Sequence, residues 1–278
     1  MNSNSNYNRL EHWVDEQQSK GKLAFSITKL KKNFVNDSET ALKRVLDRLS
    51  EKRKIVSIFR GYYLIIPPQY LSKGILPPAL FIDGLMKFLE RNYYVALLNA
   101  GALHGAGHQQ PQEYFIITEY PVMRPTNKRG IKINYISTTQ FSPEILIEKR
   151  KTETGYINVS NPILTAIDLI NYEKRIGGLN RATTVINELL GNIKQKDITQ
   201  ELVVYSNTTT LQRFGYILEE VLYKQNLADK LYSLCQKKSL KFYQIPLKAS
   251  GEKMKELLDS YRDEKWKIIV NTDIEIDE

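Results

Sequence analysis

The segment FSITKLKKNFVNDSETALKRVLDRLSEKRKIVSIFRGYYLIIPP, residues 25–68, decides the interpretation of the whole chain. At its start, Ser26 can cap a short helix over residues 27–34, because its hydroxyl can accept a hydrogen bond from a free N–H of the first turn. Asn36 and Glu39 then have the spacing of a capping box, which predicts that a second helix starts one residue after Asn36. The pattern is therefore two short helices separated by a polar break.

The second predicted helix has one apolar face and one polar face. Its leucine and valine residues recur at positions i, i+3, i+4 and i+7, so they form a single stripe that we expect to pack inward. The stripe consists of Leu42, Val45, Leu46 and Leu49. The residues that project away from it include Thr40, Lys43, Arg44 and Arg48. The outer face therefore carries cations that can meet a ligand.

After this helix the pattern changes from helical to extended. β-Branched and aromatic residues at 55–59 and 62–66 lie on both sides of an Arg60-Gly61 turn, which predicts a β-hairpin. A first helix over residues 7–20 is expected to pack across these elements. Helices followed by a basic-tipped hairpin are the order of a winged helix-turn-helix, in which the second helix enters the major groove of DNA. The predicted DNA contacts are Thr40, Lys43, Arg44, Arg48, Lys54 and Arg60.

The positive charge of the chain is concentrated in this same region. The formal net charge is +9. The stretch from Lys20 to Arg60 contains 12 Lys or Arg residues against 4 Asp or Glu residues, so the remainder of the chain is close to neutral. A local excess of positive charge on a small domain is typical of a surface that binds phosphates. Double-stranded DNA is accordingly the predicted partner.

Two proline pairs, at 67–68 and 77–78, bracket a segment that neither a helix nor a strand can cross unbroken. They predict three parts: a winged helix-turn-helix domain over residues 1–68, a linker over 69–78 and a larger domain over 79–278. The predicted fold class is α+β, in which the N-terminal winged helix-turn-helix is followed by a mixed α/β domain rich in helices.

The larger predicted domain combines helical and extended patterns. Residues 93–103 are apolar, with small residues where neighbours can approach closely, which predicts one buried helix. The β-branched and aromatic runs after it are predicted strands, at residues 114–118, 131–136 and 156–159. Ser160 and Pro162 have the positions of a helix cap and a first-turn proline, so a helix should follow them. The further predicted helices cover residues 181–191, 199–205, 208–223 and 227–237, before a final strand at 266–270.

Composition and motifs exclude several classes of protein. No apolar run approaches the roughly 18 residues of a membrane span, and the polar N-terminus lacks the pattern of a signal peptide. Cys235 is the single cysteine, so we expect no intrachain disulfide and a reducing, cytoplasmic location. Its apolar neighbours predict a buried or half-buried thiol. The sequence contains no Gly-rich phosphate loop, and no cofactor is predicted.

A few residues have the chemistry of a metal or catalytic site but not the surrounding pattern. His104 and His108 have the spacing of a metal pair on a helix, but the glycines between them oppose a helix and no third ligand is close in sequence. Asp168 lies in an apolar helical run, where a packing or capping role is favoured over catalysis. Residues 149–151, Lys-Arg-Lys, are interpreted as a solvated loop. Neither a metal site nor a catalytic residue is predicted.

Two other functions stay open at this point. A nuclease or another nucleic-acid enzyme with a DNA-binding head would use acids of the middle region such as Glu113, Glu119 and Asp168. No predicted strand, however, carries the paired carboxylates plus lysine that a metal-dependent nuclease needs. A ligand-sensing regulator would bind a metabolite in its C-terminal domain, but no pocket motif indicates one. We therefore expect a protein that is not an enzyme.

With these residues in view, the chain resembles the AbiEi family of bacterial antitoxins, which belong to type IV toxin–antitoxin and abortive-infection systems of phage defence. The resemblance covers most of the length. It begins with Arg60-Gly61-Tyr62-Tyr63 at the end of the winged helix. The further matching motifs are Tyr93 to Leu97, Ala102 to Gly105 with Gln110-Pro111, Val159 to Pro162 with Leu164 to Asp168, Gly177-Gly178-Leu179, Gln212 to Leu218 and Trp266 to Asn271.

The resemblance implies two activities. The head would repress the antitoxin–toxin operon by binding its operator, as a monomer or a dimer. The C-terminal region would counteract a nucleotidyltransferase-like toxin encoded next to it, with or without a stable complex. We expect the neutralising surface among the helices between residues 162 and 237. The candidate residues, chosen as exposed types on those helices, are Arg181, Arg213 and Tyr216.

Overall fold

The computed structural model describes residues 3–107, 111–248 and 260–276. The first elements along the chain are α1 (Ser3–Ser19), β1 (Ala24–Ser26), α2 (Ile27–Asn33), α3 (Glu39–Glu51), β2 (Ile55–Phe59) and β3 (Tyr62–Ile65). The three strands form an antiparallel sheet in the order β1-β3-β2. The predicted hairpin is confirmed by β2 and β3. Strand β1 is not predicted from the sequence, because three residues are too few to show the two-residue period of a strand.

The two short helices begin at serine caps. The hydroxyl of Ser26 accepts a hydrogen bond from the N–H of Lys29 at 3.1 Å, as predicted. Helix α3 is capped by Ser38, which accepts from the N–H of Ala41 at 3.2 Å, so the predicted capping box at Asn36 is wrong. The reason is local: the N–H of Asp37 donates to the carbonyl of Phe34 at 3.1 Å. Because Asp37 belongs to this turn, the helix begins only after it, with Ser38 as the N-cap residue.

An apolar core joins these helices and strands. The Trp13 ring meets Phe25 and Phe34 edge-on, with ring centroids 5.2 and 6.0 Å apart. All four residues of the α3 stripe are buried, which confirms the predicted inward face. The buried members of the core are Leu10, Trp13, Val14, Phe25, Leu30, Phe34, Leu42, Val45, Leu46, Leu49, Ile55 and Ile65. Every one of them lies within the first 65 residues, so this part of the chain has a core of its own.

The proline-bracketed segment after the hairpin is packed against its surroundings. Short 3₁₀ turns occupy Pro68–Tyr70 and Pro78–Leu80. Between them, Ile75 and Leu76 are buried, and the carbonyl of Gly74 accepts a hydrogen bond from the Arg129 guanidinium at 3.0 Å. These contacts fix the path of the backbone between the two proline pairs.

The middle of the chain is built around a mixed sheet. Its elements are α4 (Ile82–Phe88), β4 (Tyr93–Val95), α5 (Leu97–Leu103), β5 (Tyr114–Glu119), β6 (Thr126–Lys128), β7 (Ile131–Thr138), β8 (Ile147–Thr152) and β9 (Gly155–Ser160). The strand order is β6-β7-β5-β4-β9-β8. Strands β5 and β7 are parallel, β6 and β7 are antiparallel, and β4 and β9 are parallel.

Two predictions fail in this region. Residues 93–103 do not form one helix. Tyr93–Val95 is a buried strand, and helix α5 begins only at Leu97. The positive φ of Leu97, +54°, changes the direction of the backbone between the two elements. Aromatic and β-branched residues favour the strand. Residues 149–151 are not a loop but lie in β8, at the edge of the sheet. Exposed lysines at positions 149 and 151 are typical of an edge strand, because charge there opposes further strand pairing.

The rest of the chain is mainly helical. Its elements are α6 (Pro162–Asn171), α7 (Leu179–Leu189), α8 (Gln200–Tyr205), α9 (Thr208–Tyr216), α10 (Gln225–Lys237), β10 (Ile245–Pro246), β11 (Arg262–Asp263) and β12 (Ile268–Ile269). Helix α9 continues into a π-helical turn, Ile217–Val221. The three short strands form a small sheet in the order β10-β12-β11. The predicted fold class, mixed α+β, is thereby confirmed.

The cap of α6 differs from the prediction. Asn161 accepts a hydrogen bond from the N–H of Leu164 at 2.9 Å and is the N-cap residue. Ser160 is instead buried, and its hydroxyl lies 2.7 Å from that of Thr165. The predicted position of Pro162 in the first turn is correct. Ser160 therefore contributes to the packing of β9 against α6.

The chain forms two compact units. The first consists of Met1–Tyr94, Gln112–Thr139 and Lys149–Asn158, and the second of Val95–Pro111, Gln140–Glu148 and Val159–Glu278. Each unit combines segments that are distant in sequence. The domain boundaries predicted at residues 68 and 79 concern independent folding, and they stay a prediction. Among the described residues, none of the helices has the length and apolar character that crossing a membrane requires.

Candidate nucleic-acid interface

The outer face of α3 carries the predicted recognition residues. This helix has 13 residues and turns its apolar stripe fully into the core. The opposite side is therefore directed to solvent, and Thr40, Lys43, Arg44 and Arg48 are all exposed there. A helix with one face anchored by leucines and the other lined with cations can present side chains to phosphates and base edges.

Two acidic residues share this face and were not among the predicted contacts. Asp47 and Glu51 are exposed on α3 beside the cations. The face is therefore mixed in charge rather than purely basic. Carboxylates on a recognition helix can accept a hydrogen bond from the amino group of cytosine, while they repel phosphates. The 3.6-residue period that identifies the cations also places Asp47 outside the apolar stripe, and the same period gives the position of Glu51.

Lys54 is engaged within the protein. Its ammonium lies 2.8 Å from a carboxylate oxygen of Glu11 and 3.5 Å from Asp15, both on α1. The hydrogen bond to Glu11 raises the pKa of Lys54, against the opposing effect of burial. This cluster ties α1 to the start of β2. A DNA contact by Lys54, as predicted, would have to compete with these two carboxylates.

Arg60 lies at the tip of the β2–β3 turn and is exposed. Gly61, the second residue of the turn, has a φ of +79°, which glycine adopts without strain. Its carbonyl accepts a hydrogen bond from the N–H of Ile27 at 2.8 Å. The following Tyr62 packs on Phe88, with ring centroids 5.3 Å apart. The turn is therefore short and fixed, and it presents Arg60 from a defined position.

The three candidates for toxin neutralisation differ in exposure. Arg181 is exposed, and its guanidinium donates to the carbonyl of Ile176 at 3.3 Å. Arg213 is half-buried, and two of its nitrogens each lie 3.2 Å from the carbonyl oxygen of Pro246. Tyr216 is only 7% exposed, and burial, with the charge of Glu220 as the next cause, raises its pKa to about 12. The expected exposure of Arg213 and Tyr216 is therefore wrong.

The sequence equally allows Arg213 to be a structural partner for an acid such as Glu188, which lies on α7. That acid, Glu188, accepts a hydrogen bond from the N–H of Gly107 at 2.6 Å. Burial lowers the pKa of Arg213, and the charge of Glu173 opposes this shift. Arg213 thus ties α9 to β10.

The residues considered for nuclease or metal chemistry have structural partners. Glu113 accepts hydrogen bonds from Lys132 and Asn134, both at 2.5 Å. The Nε2 of His104, which is buried, lies 2.7 Å from the carbonyl oxygen of Ser160. His108 lies outside the described residues. Across residues 3–107, 111–248 and 260–276, no group of three or more His, Cys, Asp or Glu side chains is arranged to hold a metal ion.

Cys235 is buried in the C-terminal half of α10, as expected from its apolar neighbours. Burial raises the pKa of its thiol to about 12. A thiol with so high a pKa is neutral at physiological pH and is a poor nucleophile.

Comparison with known proteins supports the resemblance found in the sequence. Residues 94–220 match the family model of the AbiEi antitoxin C-terminal domain, which confirms the resemblance over just under half of the chain. A crystal structure of the RV2827C protein from Mycobacterium tuberculosis has a similar fold, with a TM-score of 0.62 at 14% sequence identity. The similarity covers 92% of this chain and 89% of that one. No curated protein matches the sequence.

Proposed function

We propose that this protein, which has an AbiEi antitoxin C-terminal domain over residues 94–220, represses its own operon and counteracts a nucleotidyltransferase-like toxin. The domain match is the observation that supports the antitoxin role. The toxin class and the autorepression are inferences from the family resemblance. The exposed cations of residues 1–68, which we call the head, add independent support to DNA binding and so to autorepression.

The proposal for the head is that residues 1–68 act as a winged helix-turn-helix. Its support is the order of elements, α1-β1-α2-α3-β2-β3, together with the sheet order β1-β3-β2. In such a domain α3 is the recognition helix and the β2–β3 turn is the wing. The exposed Arg44 and Arg60 would then contact DNA from two directions. Operator binding as a monomer or as a dimer on two half-sites is compatible with this geometry.

The division of labour between head and remainder is also a proposal. The buried core formed within the first 65 residues supports independent folding of the head. The neutralising surface would lie on the helices between residues 162 and 237, where Arg181 is the exposed candidate. Direct contact with the toxin is one way of neutralising it, and reversal of the toxin's effect is another.

The test combines growth and DNA-binding measurements. The gene adjacent to this one, if it encodes a nucleotidyltransferase-like protein, is expressed with and without this chain while growth is followed. We expect full-length protein to restore growth and to shift promoter DNA in an electrophoretic mobility assay. Residues 1–68 should shift the DNA without restoring growth, and residues 78–278 should restore growth without shifting it.

The full-length variant Arg44→Ala provides the matched control. It should bind the operator more weakly and retain growth rescue, because Arg44 lies within residues 1–68. Failure of full-length protein to restore growth would contradict the antitoxin role. Rescue by the head alone, or failure of residues 78–278 to fold, would contradict the proposed division while leaving the antitoxin role intact.

A further inference from the structure

A basic segment in the second unit follows helix α10. Residues 236–248, QKKSLKFYQIPLK, contain four lysines and no acidic residue, and they lie outside the stretch that matches the antitoxin domain. Lys237 ends α10, and Lys238, Lys241 and Lys248 follow it. All four are exposed. The described part of the chain shows no ion pair at these four lysines, and Lys238 lies close enough to the exposed Glu201 to interact with it electrostatically.

Tyr243 projects from this segment on a fixed backbone. Its side chain is 66% exposed, whereas the neighbouring Phe242 stacks on the buried Trp266 with ring centroids 5.9 Å apart. The side-chain amide of Gln212 donates hydrogen bonds to the carbonyls of Tyr243 and Trp266, at 2.8 and 2.7 Å. Gln212 is itself buried on α9. The phenol ring is therefore held out to solvent by an anchored segment.

A lysine and this tyrosine share the outer side of the segment. Burial alternates over residues 240–244 between half-buried and exposed positions, with the exposed positions at Lys241 and Tyr243. Alternation of this kind is the two-residue period of an extended chain, in which residues i and i+2 are about 6.6 Å apart. A cation and an open aromatic face are therefore neighbours on the surface.

We propose that these residues, the lysine–tyrosine surface of Lys237, Lys238, Lys241, Tyr243 and Lys248, bind single-stranded nucleic acid. The lysines would contact successive phosphates while a base stacks on the ring of Tyr243. A duplex fits this surface less well, because its bases already stack on one another and do not expose their faces. An acidic protein segment would use the lysines but would gain little from an open aromatic ring.

Binding is measured by fluorescence anisotropy of a labelled 20-mer of deoxythymidine with full-length protein. The parent protein and all variants carry Lys43→Ala and Arg44→Ala, which reduce the contribution of residues 1–68 to binding. Tyr243→Ala should weaken binding roughly 5- to 150-fold, the equivalent of one lost base-stacking contact. Tyr243→Phe should bind like the parent. Changing Lys237, Lys238 and Lys241 together to Gln should reduce the slope of log K against log salt by about 2.

The control uses an equivalent pair at the other end of α10. Tyr223 is 83% exposed and adjoins Lys224, about 20 Å from the C-terminal end of this helix. The variant with Tyr223→Ala and Lys224→Gln should bind the 20-mer like the parent. Equal affinity of parent and Tyr243→Ala, with unchanged thermal unfolding, would overturn the proposal. Displacement of the 20-mer by polyglutamate as effectively as by unlabelled oligonucleotide would also overturn it and indicate a surface for acidic proteins.

Discussion

Gly215 of α9 lies so close to the indole ring of Trp266 that a β-carbon at position 215 would come nearer to the ring atoms than van der Waals contact allows. The indole itself is completely buried, and its N–H donates to the carboxylate of Glu219 at 2.7 Å. The helix and the final strand region therefore meet at a point that admits no side chain. Because Phe242 stacks on Trp266, this contact also supports the segment that contains Phe242 and Tyr243.

Gly215→Ala should accordingly destabilise the protein. The added methyl group would have to displace a fully buried ring, and overpacking of this kind costs about 1–3 kcal/mol. Gly191→Ala is the control, because no heavy atom lies within 4 Å of a β-carbon at that position. It should be neutral or slightly stabilising. Thermal unfolding monitored by circular dichroism distinguishes the two variants, and equal midpoints would contradict the close contact.

Leu46→Ala should destabilise the head. Leu46 is 3% exposed in the core of the first 65 residues, and removal of a buried leucine side chain costs about 2–5 kcal/mol. Lys43→Ala on the outer face of the same helix should change stability by no more than about 0.5 kcal/mol. Urea unfolding of both variants gives the comparison. A stable Leu46→Ala variant would mean that the stripe of α3 does not carry the core.

Arg44→Ala and Arg60→Ala should affect DNA binding in different ways. If Arg44 reads a base, its loss costs about 1–3 kcal/mol for the operator and less for unrelated duplexes. If the exposed Arg60 contacts phosphates, its loss should weaken binding to all sequences alike and reduce the salt slope by about one unit. Lys20→Ala removes an equal charge just after the end of α1 and should leave both quantities unchanged. Unchanged operator affinity in both arginine variants would exclude this surface.

Acid should weaken the second unit through Glu219. Burial alone would raise the pKa of this carboxyl, but hydrogen bonds from Lys265, Gln225 and Trp266 outweigh it and lower the pKa below 4.5. The carboxylate therefore contributes stability that is present above pH 4.5 and is lost as the pH falls through the lowered value. Glu219→Gln should be less stable than the parent at pH 7, and the difference should shrink in acid. Glu220→Gln, an exposed neighbour, should show no such trend.

The sequence by itself determined the elements that depend on local spacing. The stripe Leu42, Val45, Leu46 and Leu49 follows the helical period, and one face of any helix with that spacing must be buried. The hairpin around Arg60 follows from β-branched and aromatic runs on both sides of a glycine turn. The antitoxin resemblance could be recognised because its motifs are short, continuous runs of residues.

Only the tertiary structure decided which side chains are available to a partner. Lys54 and Arg60 have similar sequence surroundings, yet Lys54 is paired with Glu11 and Asp15, which lie about 40 residues earlier. Arg213 has the sequence features of an exposed helix residue but is held by the carbonyl of Pro246. Exposure and pairing depend on which distant segments fold against a residue, and local periodicity contains no information about those segments.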